Sequence, residues 1–422
     1  MTKTFNCVYK TFIISALILL AFGVALQTPG ELIEGLWLII TSPAVLVTDF
    51  IVVGGLGPAL VNGAVLGLVS VGLLIFLKTE TASGTIANLW LLVGFGLFGK
   101  TFINVIPIYL GGYLYARFTK QPYRNSVLTI LVASSLAPAV NQKLFIDIES
   151  TALSFLAAIL MGVIIGFVFE PVAKNIFKAH DGFNLYNGGL TAGILAMFIT
   201  FFLATFGITP ELSSIWSSGN NFIISVITIV LSLYFIFAGW YPNKALGLKG
   251  IIKKLHQMSK TKANYYPDFG PFVYINMGLL GIFCIIVALV LGLEMSGLAW
   301  GAILTIIGFG ANGKNIPSAI ALMGGVWLAT VLSPFSIHDP GIIVAFYFVT
   351  ALSPVPNIFG LHWGVVAGFL HLHLVTSMAV PTGGINLYNN GMAAGVVTII
   401  LVPLILSVQK RKDNIKSQKN LA

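Results

Sequence analysis

The sequence predicts an all-α polytopic membrane protein made of two inverted-topology repeats, about seven apolar segments each, some short or re-entrant. Three observations carry that prediction. Of 422 residues, 57% are hydrophobic and 8% charged, against about 25% charged in a soluble domain. Long apolar runs such as AVLGLVSVGLLIFL and IISVITIVLSLYFIFAGW recur along the chain. Their length suits helices in a hydrocarbon core of about 30 Å, and they lack the alternation of barrel strands. Finally, FNLYNGGLTAG at 183–193 returns as INLYNNGMAAG at 385–395.

That motif is one of several paired landmarks. Its offset of 202 also aligns GVIIGF (162–167) with GVVAGF (364–369). An offset of 214 aligns LWLLVGFGLFGK, ending at Lys100, with ILTIIGFGANGK, ending at Lys314. The same offset pairs Asn62 with Asn276 and Gly67 with Gly281, and Gly57-Pro58 meets Gly270-Pro271 within one residue. LAPAV (136–140) meets LSPVP (352–356). Landmarks kept in order with small drifts mark a tandem duplication. The expected units are a first membrane repeat at 1–207 and a second, inverted one at 208–422.

Charge supplies the orientation. Arg117, Lys120 and Arg124 form one basic cluster, and the linker 243–269 holds a second with Lys244, Lys249, Lys253, Lys254, Lys260 and Lys262. The tail 408–422 holds a third, with Lys410, Arg411, Lys412, Lys416 and Lys419. If the N-terminus is inside and every segment crosses, all three fall on the cytoplasmic side with Lys174 and Lys178. Asp147, Glu149, Glu294 and Asp339 fall outside, as the positive-inside rule requires. Seven crossings per unit then invert the second unit, a plan common in secondary transporters. The expected location is a bacterial plasma membrane with both termini cytoplasmic. The run after Lys3 and Lys10 reads as a first span and not a removed signal. The net charge of +9 therefore reads as topology, not nucleic-acid binding. Segments 85–98 and 297–312 are short: about 14 residues cover only about 21 Å of helix. They are expected as half-helices or re-entrant hairpins, tolerated where protein or water covers them. The apolar stretch 28–56 is expected at the outer interface.

The expected binding residues are Asn184, Tyr186, Asn187 and Gly188 with Asn386, Tyr388, Asn389 and Asn390. Asn184 or Asn386 suits a helix N-cap. An N-cap does not account for the second Asn, the Tyr and the glycines together. Two inverted copies would bring two helix starts, with exposed N–H groups, to face each other near the pseudo-twofold axis. Lys100 and Lys314 flank that place. A lysine in an apolar stretch marks function, unless it snorkels to the interface; both readings stand. Glu170, Asp181 and His371 are the candidates for coupling to a proton or ion. Asp49 and Asp268 read as loop or interface residues. The glycine pairs Gly162/Gly166 and Gly364/Gly368 suit close helix approach. HExxH, GxSxG and Cys/His ligand spacings are missing from the sequence, so no catalytic residue, metal or cofactor is expected. Cys7 and Cys284 suggest no disulfide framework.

SPAVLVTDFIVVGGLGPALVNGAVLGL, the two GFGxxGK strings and the two NLYN motifs together resemble an uncharacterised bacterial multipass family, a domain of unknown function. That resemblance covers nearly the whole chain and implies a membrane protein without an activity. YNGGLTAG also resembles a string of urea transporters, with one glycine displaced. The seven-plus-seven plan is similar to the nucleobase and sulfate transporter fold, a likeness of plan that assigns no function. The expected function is a transporter or channel for a small polar solute or anion, not an enzyme, with its site between the repeats. Its partners would be that substrate, the bilayer and, as one arrangement, further copies of itself. The rival is an integral-membrane enzyme, or a non-transporting receptor or assembly protein.

Overall fold

The computed structural model describes residues 3–140, 151–209, 212 and 214–421. The expected outer acids Asp147 and Glu149 lie outside the described residues. The chain is all-helical. Its first half contains α1 (Lys3–Ala25), α2 (Pro29–Thr41), α3 (Phe50–Gly54), α4 (Leu56–Phe76), α5 (Ser83–Phe95), α6 (Phe102–Phe118), α7 (Val127–Ala133), α8 (Thr151–His180) and α9 (Asn187–Ala204). The second half contains α10 (Asn221–Trp240), α11 (Gly247–Met258), α12 (Tyr265–Phe269), α13 (Val273–Leu291), α14 (Gly297–Phe309), α15 (Ile316–Val331), α16 (Pro340–Phe348), α17 (Pro354–Phe359), α18 (Leu361–Val375) and α19 (Asn389–Leu421).

Seven helical stretches among the described residues are long and apolar enough to cross a membrane: Cys7–Ala25, Leu56–Phe76, Ala152–His180, Asn187–Ala204, Asn221–Met258, Tyr265–Leu291 and Asn389–Asn414. Several other apolar helices are shorter, as expected for some segments, so the condition that every segment crosses is not met. Helices α5 and α14 have 13 residues each, which is about 20 Å of rise, too short for a core of about 30 Å. Helix α18 stops after 15 residues. The stretches 127–139 and 340–352 each pass from α-helix into a 3-10 turn. Pro138 lies inside the first of these turns and Pro354 begins α17 just after the second, and a missing N–H and a ring clash keep a regular helix from running through either position. The apolar stretch 28–56 contains α2, with Ile33 and Trp37 exposed. Thr28 and Glu31 close a reciprocal capping box at its start, which fixes where that helix begins.

The short helices occupy the centre. In α14 every residue is buried, and α5 is buried except at Gly84 and Asn88. Such helices are apolar all round because neighbours cover every face. They cross at Gly94 and Gly301, where a Cβ on either would strike the other's carbonyl. Trp90 packs edge-on against Phe12 and Phe235 at 5.7 and 5.5 Å, and Trp300 Nε1 donates to Thr228 Oγ1 at 3.0 Å.

Both central helices end inside the apolar body, and their last carbonyls are met by N–H groups of the turn that follows. That turn has carbonyls of its own to satisfy, and Asn62 of α4 supplies the donor after α5: its Nδ2 donates to the carbonyls of Gly96 and Lys100, both at 2.7 Å. Asn276 of α13 does the same for α14, donating to Gly310 at 2.8 Å and Lys314 at 2.7 Å. Outer helices pair in matching fashion. Helix α6 lies on α8, where Gly166 meets the backbone of Ile108, and α15 lies on α18, where Gly368 meets Leu322.

Replacing Asn62 by Leu keeps the volume but strips two buried carbonyls of their donor. Stability should fall by about 2–6 kcal/mol, at about 1–3 kcal/mol for each unmet buried group. Asn276→Leu should match it within a factor of two. The half-buried Asn88, whose Nδ2 reaches Leu128 O at 3.3 Å, should cost well under half as much when changed to Ala. Denaturant unfolding in detergent reads all three.

Candidate functional site

The two NLYN segments meet at the centre. Asn184 Oδ1 accepts from the Tyr186 N–H at 2.9 Å, and Asn386 Oδ1 from the Tyr388 N–H at 3.0 Å. Each asparagine closes a local turn ahead of the helix. This corrects the N-cap assignment, because α9 and α19 begin at Asn187 and Asn389, three residues later. The turns are pinned from the opposite half of the chain. Leu185 N–H donates to Ala351 O and Leu387 N–H to Ser135 O, both at 3.0 Å. Asn184 Nδ2 donates to Gly391 O at 2.9 Å. Helices α9 and α19 then cross at Gly189 and Gly391, where a Cβ on either residue would come within 3 Å of the other's Cα.

That crossing stacks the tyrosines. The rings of Tyr186 and Tyr388 lie 4.6 Å apart at 35°. Phe309 sits edge-on to Tyr186 at 4.8 Å and Phe95 edge-on to Tyr388 at 5.0 Å. Phe348 touches both, at 5.8 and 6.2 Å. The tyrosine of one half thus packs on the GFG turn of the other.

The lysines that end those turns are both buried. Snorkelling to the interface is therefore not what they do. Lys314 Nζ donates to the Tyr186 hydroxyl and lies 4.4 Å from its ring centroid. Lys100 Nζ lies 4.9 Å from the Phe95 centroid and has no hydrogen-bond partner among the described residues. A buried ammonium is costly without a partner, and ring faces repay part of that cost.

Two cavities approach this core. One, of about 210 Å³, is lined by Asn187, Gly188, Leu185, Phe169, Asn312 and Tyr186, among others. The second, of about 370 Å³, is lined by Asn389, Asn390, Leu387, Phe98, Phe348 and Leu298, among others. Under the offsets read from the sequence, Asn187 corresponds to Asn389, Gly188 to Asn390, Leu185 to Leu387 and Asn312 to Phe98. The first cavity reaches Gly84 near the start of α5, beside a cleft holding Lys78 and Arg124. The second reaches Leu298 near the start of α14 and the segment at Leu46 and Val47. Residues 46–47 precede α4 and Lys78 follows it, so the cavities lie at opposite ends of that helix.

The three expected coupling residues are not brought together. Glu170 is buried, but its Oε1 pairs with Lys174 at 2.8 Å, and that lysine is 60% exposed. Asp181 is 85% exposed and pairs with Lys262 at 3.2 Å. His371 is buried in α18 with neither ring nitrogen partnered among the described residues. None of them lines either cavity. Among the described residues no group of His, Cys, Asp and Glu could hold a metal ion. Asp49 is a correction. It is buried, not a loop acid, and accepts from Ile51 N, Ser217 N, Ser217 Oγ and Gly297 N at 2.7–3.0 Å. Asp268 is exposed. Sequence reasoning missed His180, whose Nε2 pairs with Asn187 Oδ1 at 2.7 Å, and missed Ser135. Ser135 has no polar counterpart in the other half, and His180 corresponds to Thr382, a different side chain that reaches the matching Asn389 Oδ1 at 3.1 Å, so identity between the halves, the signal used to find the rest, marks neither.

The family model described as Protein of unknown function (DUF1576) matches residues 28–205 and 248–407, and the chain belongs to that family. Comparison with curated proteins and with solved structures returned no match.

Tyr186→Phe preserves the ring stack but strips Lys314 of its acceptor, a loss of about 1–3 kcal/mol. Lys314→Met should cost less on the Tyr186→Phe background than on the wild type. A double-mutant cycle by unfolding should give a coupling of at least about 1 kcal/mol. Additive losses would show the contact to be energetically idle.

Proposed function

We propose that this protein is a membrane transporter or channel for a small polar solute or anion. Its path would join the two cavities past the Tyr186–Tyr388 pair. One observation carries the reading: two cavities at opposite ends of α4 are lined by matching residues of the two NLYN segments, Asn187 in one and Asn389 in the other, and the first of them reaches Tyr186 and Tyr388. A packed membrane scaffold has no need of two such recesses at matching polar motifs. Supporting it are helix starts at Asn187 and Asn389, whose N–H groups favour negative charge or a dipole.

In this reading the units are two inverted repeats, 1–207 and 208–422, and the cavities are the two ends of an alternating-access path. Lys78 and Arg124 beside the first cavity support reading that end as the cytoplasmic side of a plasma membrane, together with both termini. Asp339 at the second supports reading it as the outer end. Asn187, Asn389 and Asn390 replace solute hydration at the two mouths. Tyr186 and Tyr388 gate the middle, with Phe95, Phe309 and Phe348 holding their rings. Passage requires the Gly189–Gly391 crossing to shift, because the rings leave no gap between them at 4.6 Å. No bond chemistry is assigned to the chain. An enzyme would bring its titratable groups to one cleft, and Glu170, Asp181 and His371 have separate surroundings.

The test is flux in liposomes that contain the purified chain. Uptake of urea and glycerol is read by osmotic swelling, and uptake of formate, nitrate and iodide by internal dyes. At least one probe should enter faster than in empty liposomes. Asn187→Ala together with Asn389→Ala should abolish that entry while the protein still runs as a folded, monodisperse species. Unchanged flux in the double variant would refute the path.

A further inference from the structure

The polar atoms around the tyrosine pair are unevenly partnered. On the Lys314 side, the ammonium donates to the Tyr186 hydroxyl and Asn187 Oδ1 pairs with His180 Nε2. On the Lys100 side, Lys100 Nζ, the Tyr388 hydroxyl, Asn389 Nδ2 and Ser135 Oγ are all buried without a partner among the described residues. Asn390 Oδ1 is the fifth such atom there.

These groups share one neighbourhood. Phe95 lies against both Lys100 Nζ and the Tyr388 ring, at 4.9 Å from its ring centroid to the nitrogen and 5.0 Å between the ring centroids. Gly99 packs on the Leu387 side chain, and the Leu387 N–H donates to the Ser135 carbonyl at 3.0 Å. Asn389 follows two residues later and lines the second cavity.

We propose that this half is a seat for a small monovalent anion, held by Lys100 Nζ with donation from the Tyr388 hydroxyl, Asn389 Nδ2 and Ser135 Oγ. The inference rests on the transport reading and narrows it from any polar solute to an anion, entering from the cavity lined by Asn389 and Asn390. The donor set decides the class. The ammonium and the amide N–H₂ can only donate, the two hydroxyls can donate or accept, and Asn390 Oδ1 is the one leftover group there that can only accept. A neutral amide such as urea could pair with the hydroxyls but would leave the ammonium without a counter-charge. An anion satisfies the donors and supplies the counter-charge that a buried ammonium requires. Neither carboxylate near the core serves that purpose, because Glu170 pairs with Lys174 and Asp49 is consumed by backbone donors. The size limit comes from the aromatic wall of Phe95, Phe348 and Tyr186 around Tyr388.

The full chain in detergent is titrated with sodium formate, nitrate and iodide against gluconate at equal ionic strength, reading thermal stability. At least one small anion should stabilise the wild type saturably. Lys100→Met should lose that response. Tyr388→Phe, which keeps the ring and removes only the hydroxyl, should weaken it about tenfold, the loss of one hydrogen bond to a charge. It covers the case in which Lys100→Met does not fold. A wild type that answers to no small anion overturns the seat, as does a folded Lys100→Met or Tyr388→Phe that answers like the wild type. Liposome flux separates the two readings. Entry of urea or glycerol with no anion entry overturns the seat and leaves transport standing. Saturable anion binding with no flux of any probe overturns transport and leaves the seat standing.

Discussion

A helix that ends inside an apolar body must have its terminal carbonyls met by protein, and this structure is arranged around that need. Helices α5 and α14 each stop after 13 residues; the turn that follows meets their last carbonyls, and a single asparagine ties down each turn, Asn62 for one and Asn276 for the other. Each amide reaches two carbonyls four residues apart, so it fixes the whole turn. The turn then aims Lys100 or Lys314 inward, and the glycine contact at Gly94 and Gly301 draws the two broken helices together. Without those caps the lysines would have no rigid mount, and water would be the alternative partner for the carbonyls.

The second consequence is the exchange of partners across the molecule. Each GFG turn receives the tyrosine from the other half, Phe309 against Tyr186 and Phe95 against Tyr388. Each NLYN turn likewise takes its backbone hydrogen bond from the opposite half, at Ala351 or Ser135. Neither half could assemble its share of the core alone. The tyrosine stack, the glycine crossing and the two cavities therefore form one coupled unit, and a shift of α9 against α19 would change all of them together.

Matching positions do not have matching chemistry. Gly188 stands opposite Asn390 and Asn312 opposite Phe98, so the two cavities differ in polarity at corresponding walls. His180 engages Asn187, while Asn389 Oδ1 accepts instead from Asn386 and Thr382 at 2.9 and 3.1 Å. Lys314 has a hydroxyl and Lys100 has only a ring face.

Much of this was legible in the chain. Composition and run length determined a helical membrane protein, since burial in lipid needs unbroken apolar helices. The order of paired landmarks picked out Asn62 and Asn276, the GFGxxGK turns and the NLYN motifs, because a repeated polar motif in an apolar chain stands above its background. Other features were not legible. Sequence placed α5 and α14 as short but let the remaining segments cross, since length in residues does not reveal where a helix is broken by Pro138 or Pro354. It gave Asn184 the helix cap and let Lys100 and Lys314 snorkel, because local pattern cannot say which atoms lie 128 residues away. Asp49 looked like a loop acid until Ser217 and Gly297 were seen to converge on it. The sequence by itself determined which residues stand in pairs. Only the tertiary structure decided which partner each one meets, because burial and hydrogen-bond pairing are set where distant segments cross.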